Sequence, residues 1–501
     1  MSEKRLTQAE IESHLKEAAN MLRGYIDAGD YKQFIFPLLF FKRICDVYDE
    51  EVTEALEESS GDEDYAANFY EHRFMISPEC HWNTIRETAK DVGDAIKKAL
   101  RGIERDNKDT LGGIFGDAKW TNKERLSDET LKDLIERFSM FKLDNTHAGQ
   151  DELGNAYEFL IKHFADDSGH TAAEFYTNRT LVELMTYLLD IESGESVYDP
   201  TCGTGGMLLN SALHLRNMGQ EYRSLKLYGQ EINHITSAVA RMNMYLHGIE
   251  TFDIRRGDTL DRPLFETNGK VRTFDAVLAN PPYSIKKWDR VKWENDSRNK
   301  YGVPPQGCAD YAFFQHIIAS LDKTTGRCAI LFPHGVLFRD IEQEMRAKIV
   351  TEDLVECVIG LGPNLFYNSP MEACIVICRK KKPAINRGKV LFVNAVNQVK
   401  RERSESFLTP DQIENINKTY KDFKDVTDFA KVVNLSEIER NMYNLSIPLY
   451  VEMPTSNSIV KEQQSEYTIG NLYDNWCKDT EVLYQKLDDL VSALEHEEVE
   501  A

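Results

Sequence analysis

Hydrophobic and polar positions divide the chain into three regions. In the first region, apolar residues recur at helical spacing over 11–22 and 34–45, and further helices are predicted around 84–101 and 128–141. Polar and acidic turns separate these helices. We therefore predict an all-α domain over residues 1–150 that serves for interaction with other proteins.

The second region, residues 151–400, contains short apolar runs bounded by turn residues, which is typical of buried strands. The predicted strands are 197–198, 225–230, 252–254, 274–279, 328–332, 354–359 and 373–378. Helical segments separate the earlier strands, so most of the sheet is expected to be parallel. A loop joins the last two strands, and we therefore expect a closing antiparallel hairpin.

The third region, residues 401–501, is polar and again predicted to be helical. An apolar stripe over 482–494 with charged flanks suits docking on a partner protein, although the helix could equally fold back on its own domain.

The strand 274–279 is followed by Asn280, Pro281, Pro282 and Tyr283. Neither proline can donate a hydrogen bond to a neighbouring strand, so the chain must leave the sheet here. Asn280 offers an amide oxygen beside the Pro281 carbonyl, and Tyr283 offers a flat face. Two acceptors in one plane and an aromatic platform suit an exocyclic amino group on a flat ring. A plain proline turn would explain the stretch if it stood alone.

Acidic residues end the first three predicted strands. Asp199 precedes the turn Gly203-Thr204-Gly205-Gly206, in which glycine lets the backbone approach a ligand closely. A carboxylate at Asp199 would repel a pyrophosphate but attract an ammonium or sulfonium group. Glu231 ends the second strand, where an acid can bind ribose hydroxyls, and Asp258 follows the third. Together these positions indicate a nucleotide-type cofactor site.

A capping box over Thr180–Glu183 predicts a helix that begins just after Thr180. Its exposed amides, with Thr177 and Arg179 nearby, could hold a carboxylate, although an ordinary capped helix is the simpler interpretation.

Composition constrains the partners. The net charge of −23 disfavours binding to a polyanion. Either nucleic acid is not the substrate, or a partner supplies many of the contacts that hold it. The nine cysteines show no metal-ligand spacing and are expected to be core residues in a reducing cytoplasm. No signal peptide or membrane span is expected. A long segment after the proline motif, residues 285–306, combines basic residues with tryptophan and could close over DNA or be a mobile, solvated loop.

The motifs taken together resemble the S-adenosylmethionine-dependent N6-adenine methyltransferases of DNA. More narrowly, the chain is similar to the modification (M) subunit of type I restriction–modification systems. The likeness covers most of the chain and is carried by 14–49, Leu153 to Phe159, Phe175-Tyr176-Thr177, the glycine turn, Asn280 to Tyr283, Asn364-Leu365-Phe366-Tyr367 and Tyr443-Asn444-Leu445-Ser446.

The resemblance implies a Rossmann-like methyltransferase domain, α/β in class, with S-adenosylmethionine as cofactor, no metal, an all-α domain before it and a helical region after it. The implied catalytic residues are Asn280, Pro281, Pro282 and Tyr283. The implied cofactor-binding residues are Glu174, Phe175, Tyr176, Thr177, Asn178, Arg179, Asp199, Thr201, Gly203, Thr204, Gly205, Glu231 and Asp258. By the same likeness, residues 199–205 surround the methionine moiety, Glu231 takes the ribose and Asp258 takes the adenine amino group. The family usually has proline where this chain has Asn178, which also caps helices well.

The implied activity is methyl transfer to N6 of an adenine flipped out of double-stranded DNA. The implied partners are a specificity subunit, a second copy of the chain on that subunit, and a restriction subunit. Two other enzymes remain open from the sequence: a solitary DNA methyltransferase, and a protein glutamine methyltransferase that shares the proline motif. A non-catalytic scaffold is a third alternative, but every polar position of the site is filled.

Overall fold

The computed structural model describes residues 4–68, 71–167, 176–365, 372–401 and 406–451. All of these residues belong to one compact unit. The apolar stripe predicted over 482–494 lies outside the described residues.

The described residues before 168 are helical, as the pattern predicted. The helices are α1 (Gln8–Met21), α2 (Lys32–Glu58), α3 (Glu63–Asn68), α4 (Trp82–Arg86), α5 (Val92–Asp106), α6 (Lys108–Leu111), α7 (Asp128–Ser139) and α8 (Gln150–Asp167). The helix expected over 84–101 is in fact two helices, because Asp91 adopts a left-handed conformation with φ of 57° between α4 and α5. Helix α2 is buried along most of its apolar face and forms the centre of this region's core.

A nine-stranded sheet follows. Its strands are β1 (Ser196–Asp199), β2 (Lys226–Glu231), β3 (Phe252–Arg256), β6 (Ala276–Ala279), β7 (Arg327–Pro333), β8 (Val355–Leu361), β9 (Ala373–Arg379), β10 (Lys389–Ala395) and β13 (Ala430–Asn434). Two short hairpins lie apart from it, β4 (Glu266–Thr267) with β5 (Lys270–Val271) and β11 (Lys400–Arg401) with β12 (Ser406–Phe407).

The strand order is β13-β10-β8-β9-β7-β6-β1-β2-β3. Strand β9 is antiparallel to both β7 and β8, which confirms the closing hairpin, and β13 is antiparallel to β10. The other neighbouring pairs are parallel. Two strands were not predicted from the sequence, β10 in the second region and β13 in the third. The region after residue 400 is therefore not purely helical, and β13 extends the sheet at its edge.

Helices cover both faces of the sheet. They are α9 (Arg179–Leu189), α10 (Gly206–Asn217), α11 (His234–Leu246), α12 (Arg290–Glu294), α13 (Asp310–Ala319), α14 (Gln343–Thr351), α15 (Pro410–Asp422) and α16 (Leu435–Arg440). Alternate residues of β6 enter different cores: Ala276 and Leu278 pack with α9, α10 and α15, whereas Val277 and Ala279 pack with α13 and α14. The α/β fold class is thereby confirmed.

The topology brings the predicted site together. The chain runs outward from β1 through β2 to β3, then returns to place β6 on the other side of β1. Ligands of open α/β sheets bind beyond the carboxyl ends of the strands at such a reversal. The turns after β1, β2, β3 and β6 all lie there.

The eight cysteines among the described residues are buried and carry no disulfide, as expected of small core residues. No helix in the described part of the chain is long and apolar enough to cross a membrane.

Candidate active site

The side chain of Asn280 is held between two hydroxyl groups. Its Nδ2 donates to Thr177 Oγ1 at 3.0 Å, and the Tyr283 hydroxyl donates to its Oδ1 at 2.6 Å. Burial raises the pKa of Tyr283 well above its ordinary value, so this hydroxyl keeps its proton. The structure therefore brings Thr177, expected only at the cofactor, into direct contact with the candidate catalytic amide.

The backbone turn after Tyr283 is held by a hydrogen bond to Asp310. Ser284 adopts a left-handed conformation with φ of 52°, which is strained for a residue with a side chain. Its backbone N–H donates to Asp310 Oδ1 at 2.7 Å, and Asp310 is 1% exposed and pairs with Arg339 at 2.5 Å. Sequence reasoning missed Asp310; its one signal was an acid at the start of the apolar helix α13.

The turn from β1 into α10 has the close approach that its glycines predicted. Gly203 and Gly205 have φ of 52° and 80°. A Cβ on Gly205 would lie 3.2 Å from Met244 Cε, so the turn packs directly on α11. A Cβ on Gly206 would collide with the Arg179 guanidinium, which lies across the turn.

Asp199 is a buried carboxyl group at the base of this turn. It is 2% exposed, and its Oδ1 accepts a hydrogen bond from the Thr201 backbone N–H at 3.0 Å. Burial raises its pKa to about 8, and the charge of Glu231 adds to the effect. A cationic group placed here would favour the carboxylate form. Thr201 Oγ1 is also buried and has no hydrogen-bond partner among the described residues, so it can bond to a ligand.

Glu231 and Asp258 are oriented by backbone amides. Glu231 accepts from the Gly203 N–H at 3.0 Å and the Asn233 N–H at 2.8 Å, one on each oxygen. Asp258 accepts from Leu260 at 2.9 Å and Asp261 at 3.1 Å, both on Oδ1. The two oxygens of a carboxylate offer about four acceptor sites and these bonds take two of them in each group, so both carboxylates have capacity for a hydroxyl or amino group of a ligand.

Two adjoining cavities connect these residues. The larger encloses about 900 Å³, open solvent included, and contains Glu231, Asp258 and residues 280–283 in its lining. The smaller, about 340 Å³, is lined in part by Thr177, Asp199 and residues 201–204. Thr201 and Asn280 line both, so the candidate catalytic amide stands where the two cavities meet. The volume of the larger cavity suits a nucleotide-type cofactor.

The segment before α9 differs from the expectation. The helix begins at Arg179 with Asn178 as N-cap, so the predicted start after Thr180 was wrong. Asn178 Oδ1 accepts from both the backbone N–H and the hydroxyl of Thr180, at 3.0 and 2.8 Å. The Thr180 hydroxyl oxygen accepts from the Leu408 backbone N–H at 3.0 Å and does not cap the following turn.

Arg179 lines the smaller cavity, but its charge is balanced within the protein. It pairs with Glu158 of α8 and lies 5.0 Å from the centre of the Tyr176 ring, so it clamps the glycine turn. Glu174 and Phe175 lie outside the described residues.

The basic segment 285–306 is folded and contains α12. Most of its cations are used within the protein: Arg290 bonds to the Pro304 carbonyl, Lys292 to Asp261 and Lys300 to Glu352. Arg298 is 2% exposed. Four basic residues of this segment are exposed, and of these Lys287 alone lines the larger cavity; the other three are Lys286, Lys292 and Lys300.

Comparisons with known proteins agree with this geometry. The N-6 DNA Methylase family matches residues 148–458, and the HsdM N-terminal domain matches residues 11–138.

Among curated proteins, the chain is 31% identical to the type I restriction enzyme MjaVIII methylase subunit of Methanocaldococcus jannaschii, over 95% of this chain and 84% of the relative. It is 29% identical to the MpnII methylase subunit of Mycoplasma pneumoniae, over 95% of each chain. Among solved structures, a type I restriction–modification methyltransferase subunit from Streptococcus thermophilus superposes with a TM-score of 0.78 at 29% identity, over 89% of this chain and all of that one.

The matches extend over both the helical region and the sheet, and they confirm the resemblance drawn from the motifs. The chain belongs to the N-6 DNA methylase family and within it to the type I restriction–modification methyltransferase subunits, which are adenine-specific and use S-adenosylmethionine as methyl donor.

Proposed function

We propose that this chain methylates N6 of an adenine rotated out of the duplex, and that Asn280, Pro281, Pro282 and Tyr283 hold the base. The observation that carries the proposal is the position of Asn280 at the junction of the two cavities, with its amide fixed on both sides. The two cavities together supply room for the cofactor, and the Asn280 amide is proposed to face the adenine of the DNA.

The proposed chemistry needs no covalent intermediate on the protein. The lone pair of the adenine amino group is delocalised into the ring, so the nitrogen is a weak nucleophile. Hydrogen bonds from this amino group to Asn280 Oδ1 and the Pro281 carbonyl favour a more tetrahedral nitrogen. S-adenosylmethionine would supply a methyl group already activated on sulfonium. As this methyl group moves to the nitrogen, the C–S bond breaks and a neutral thioether leaves, and the nitrogen gives up one proton to solvent. The protein then has to align nitrogen, carbon and sulfur.

Tyr283 has two proposed tasks. Its ring offers a face on which the flipped adenine stacks, because the amino group is out of reach inside a duplex. Its hydroxyl, bonded to Asn280 Oδ1 at 2.6 Å, keeps ring and amide in one arrangement. The amide oxygen has two lone pairs, so it can accept from the adenine while it still accepts from Tyr283.

The cofactor is proposed to span both cavities. Asp199 and Thr201 fit the methionine end. Asp199 is a buried acid that a cation would stabilise, and the Thr201 hydroxyl has no hydrogen-bond partner within the described part of the chain. Glu231 is assigned to the ribose and Asp258 to the adenine amino group. Gly203, Thr204 and Gly205 are also proposed to surround the methionine moiety. The remaining residues proposed to bind the cofactor are Glu174, Phe175, Tyr176, Thr177, Asn178 and Arg179.

We propose further that the chain does not choose its DNA target alone. Its net charge of −23 opposes DNA, and most cations of the segment 285–306 are occupied within the protein. The relatives are named as subunits of type I restriction enzymes. The expected assembly has two copies of this chain on one specificity subunit, joined by a restriction subunit, in the cytoplasm. Residues 1–150 and 401–501 are the proposed assembly domains around a catalytic domain of 151–400.

Nucleoside mass spectrometry tests both parts. The purified chain, alone and with the candidate specificity subunit, is incubated with duplex DNA and S-adenosylmethionine. N6-methyladenine is expected only with the specificity subunit, and Asn280→Ala should abolish it while cofactor binding stays nearly intact. Persistent methylation by Asn280→Ala would refute the assigned base site. Robust sequence-specific methylation by the chain alone would instead favour a solitary methyltransferase.

A further inference from the structure

Arg298 is a basic residue of the segment 285–306 that does not face solvent. It is 2% exposed, and its guanidinium packs over the ring of Trp293 at 4.7 Å from the ring centre. Asp296 balances its charge through two bonds, to Nε at 2.8 Å and to Nη2 at 2.6 Å. The arginine is therefore a fixed internal cation and cannot reach a phosphate of DNA from this position.

The guanidinium holds the loop that carries Asp258. Its Nη1 donates to the Thr259 carbonyl and its Nη2 to the Leu260 carbonyl, each at 2.6 Å. The Thr259 hydroxyl in turn donates to the Pro200 carbonyl at 2.5 Å, directly beside Asp199. One side chain thus links the segment after the catalytic turn to two of the strand-end turns assigned to the cofactor.

A second chain of bonds reaches the sheet. Arg298 Nη1 also donates to His316 Nδ1 at 3.0 Å, and His316 Nε2 lies 3.1 Å from the Tyr198 hydroxyl. Burial, together with the Arg298 charge, lowers the pKa of His316 well below its ordinary value, so the imidazole is neutral and Nδ1 accepts. Tyr198 immediately precedes Asp199. Through His316, Arg298 is therefore also linked to Tyr198 of β1, the strand that leads into the glycine turn.

The same segment supplies apolar residues to the larger cavity. A small core unites Leu260, Trp293 and Phe313 with the partly buried Ile285 and Trp288. Of these, Leu260, Ile285, Trp288 and Phe313 line the cavity that also contains Asp258. The segment is therefore one wall of that cavity, and Arg298 is the polar anchor beneath it.

We propose that Arg298 is a positioning residue for the adenosine half of the cofactor site, and that the segment 285–306 acts first as a wall of that site. The inference rests on the proposed cofactor position. The sequence left open whether this segment closes over DNA or is a mobile, solvated loop. The guanidinium of Arg298 binds the carbonyls of Thr259 and Leu260 instead of a phosphate. Cofactor binding and the catalytic turn then share one folded support, because the segment begins directly after Ser284.

The test compares cofactor affinity with DNA affinity in the full chain. Arg298→Met removes the bonds to both carbonyls but keeps an apolar side chain over Trp293. Lys300→Met is the matched control, because Lys300 belongs to the same segment but forms an exposed pair with Glu352. Titration calorimetry measures S-adenosylmethionine binding, and fluorescence anisotropy measures binding of a labelled mixed-sequence duplex at low salt.

Arg298→Met is expected to weaken cofactor binding about tenfold or more while duplex affinity stays at the wild-type value. In the complex with a specificity subunit, KM for the cofactor should rise, whereas kcat at saturating cofactor should change little. Lys300→Met should leave cofactor affinity unchanged. Loss of duplex affinity in Arg298→Met, or unchanged cofactor affinity, would overturn the inference.

Two further variants keep the result interpretable. Should Arg298→Met fail to fold, Arg298→Lys is decisive, since lysine retains the charge but cannot bond both carbonyls at once; wild-type cofactor affinity in that variant would overturn the inference. Asp258→Asn keeps the oxygen that holds the Leu260 and Asp261 amides but turns a donor toward the cofactor's amino group. If Asp258→Asn binds the cofactor weakly and Arg298→Met binds it normally, the proposed cofactor site is supported and only the role of Arg298 is refuted. Normal cofactor binding in both variants would refute the proposed site itself.

Discussion

The buried carboxyl group of Asp199 should make cofactor binding depend on pH. Burial raises its pKa to about 8 in the absence of a cation, so at neutral pH most of the chains carry it protonated. The cofactor's ammonium or sulfonium charge favours the ionised form. Binding therefore has to release a proton, and apparent affinity should rise with pH as long as Asp199 is protonated in the free chain.

The magnitude follows from the fraction of ionised Asp199. With a pKa of about 8, that fraction is ~1% at pH 6 and ~9% at pH 7, so affinity should increase up to about tenfold over this interval. The interval lies below the range in which the cofactor's own α-amino group titrates, near pH 8. A smaller rise in cofactor affinity would mean that the Asp199 carboxyl group still titrates between pH 6 and pH 7 when the cofactor is bound.

Titration calorimetry in two buffers with different ionisation enthalpies measures both quantities. Close to one proton per bound cofactor should be released near pH 6.5. Asp199→Asn cannot ionise, so it should bind weakly and show neither the proton release nor the pH dependence. Equal wild-type affinity at pH 6 and pH 7 without proton release would refute the assignment of Asp199 to a cationic part of the cofactor.

Substitutions at two other positions test the site. Glu231→Ala should weaken cofactor binding by about 1–3 kcal/mol in calorimetry, because ribose hydroxyls and the Gly203 amide lose their acceptor. Glu231→Gln should lose less affinity, and unchanged affinity in Glu231→Ala would place the cofactor elsewhere. Tyr283→Phe keeps the ring but removes the bond to Asn280, so kcat should fall by roughly five- to tenfold, about 1–1.4 kcal/mol, in a methyl-transfer assay. Tyr283→Ala should lose most activity, and equal activities for the two Tyr283 variants would argue against stacking.

Local patterns succeeded where the deciding interaction is local. Seven predicted strands match observed ones, because buried strands need continuous apolar runs bounded by turn residues. The start of α9 was misplaced by two residues, since Asn178 and Thr180 can both cap a helix and only the folded chain shows which one does. Strand β13, Ala430–Asn434, has exposed and half-buried positions and pairs along one edge, so its pattern is weak.

The sequence by itself determined the set of chemical groups: an acid after each of three strands, a glycine turn, and an amide between a strand and two prolines. These follow from short-range rules of backbone and side chain. Only the tertiary structure decided which groups meet. Thr177 bonds to Asn280 across 103 positions, and Asp310 at the start of α13 holds Ser284. Likewise, Arg298 belongs to a basic segment that could close over DNA by its sequence, but its side chain lies inside the protein. Such contacts depend on strand order and packing between distant segments, which a single sequence does not display.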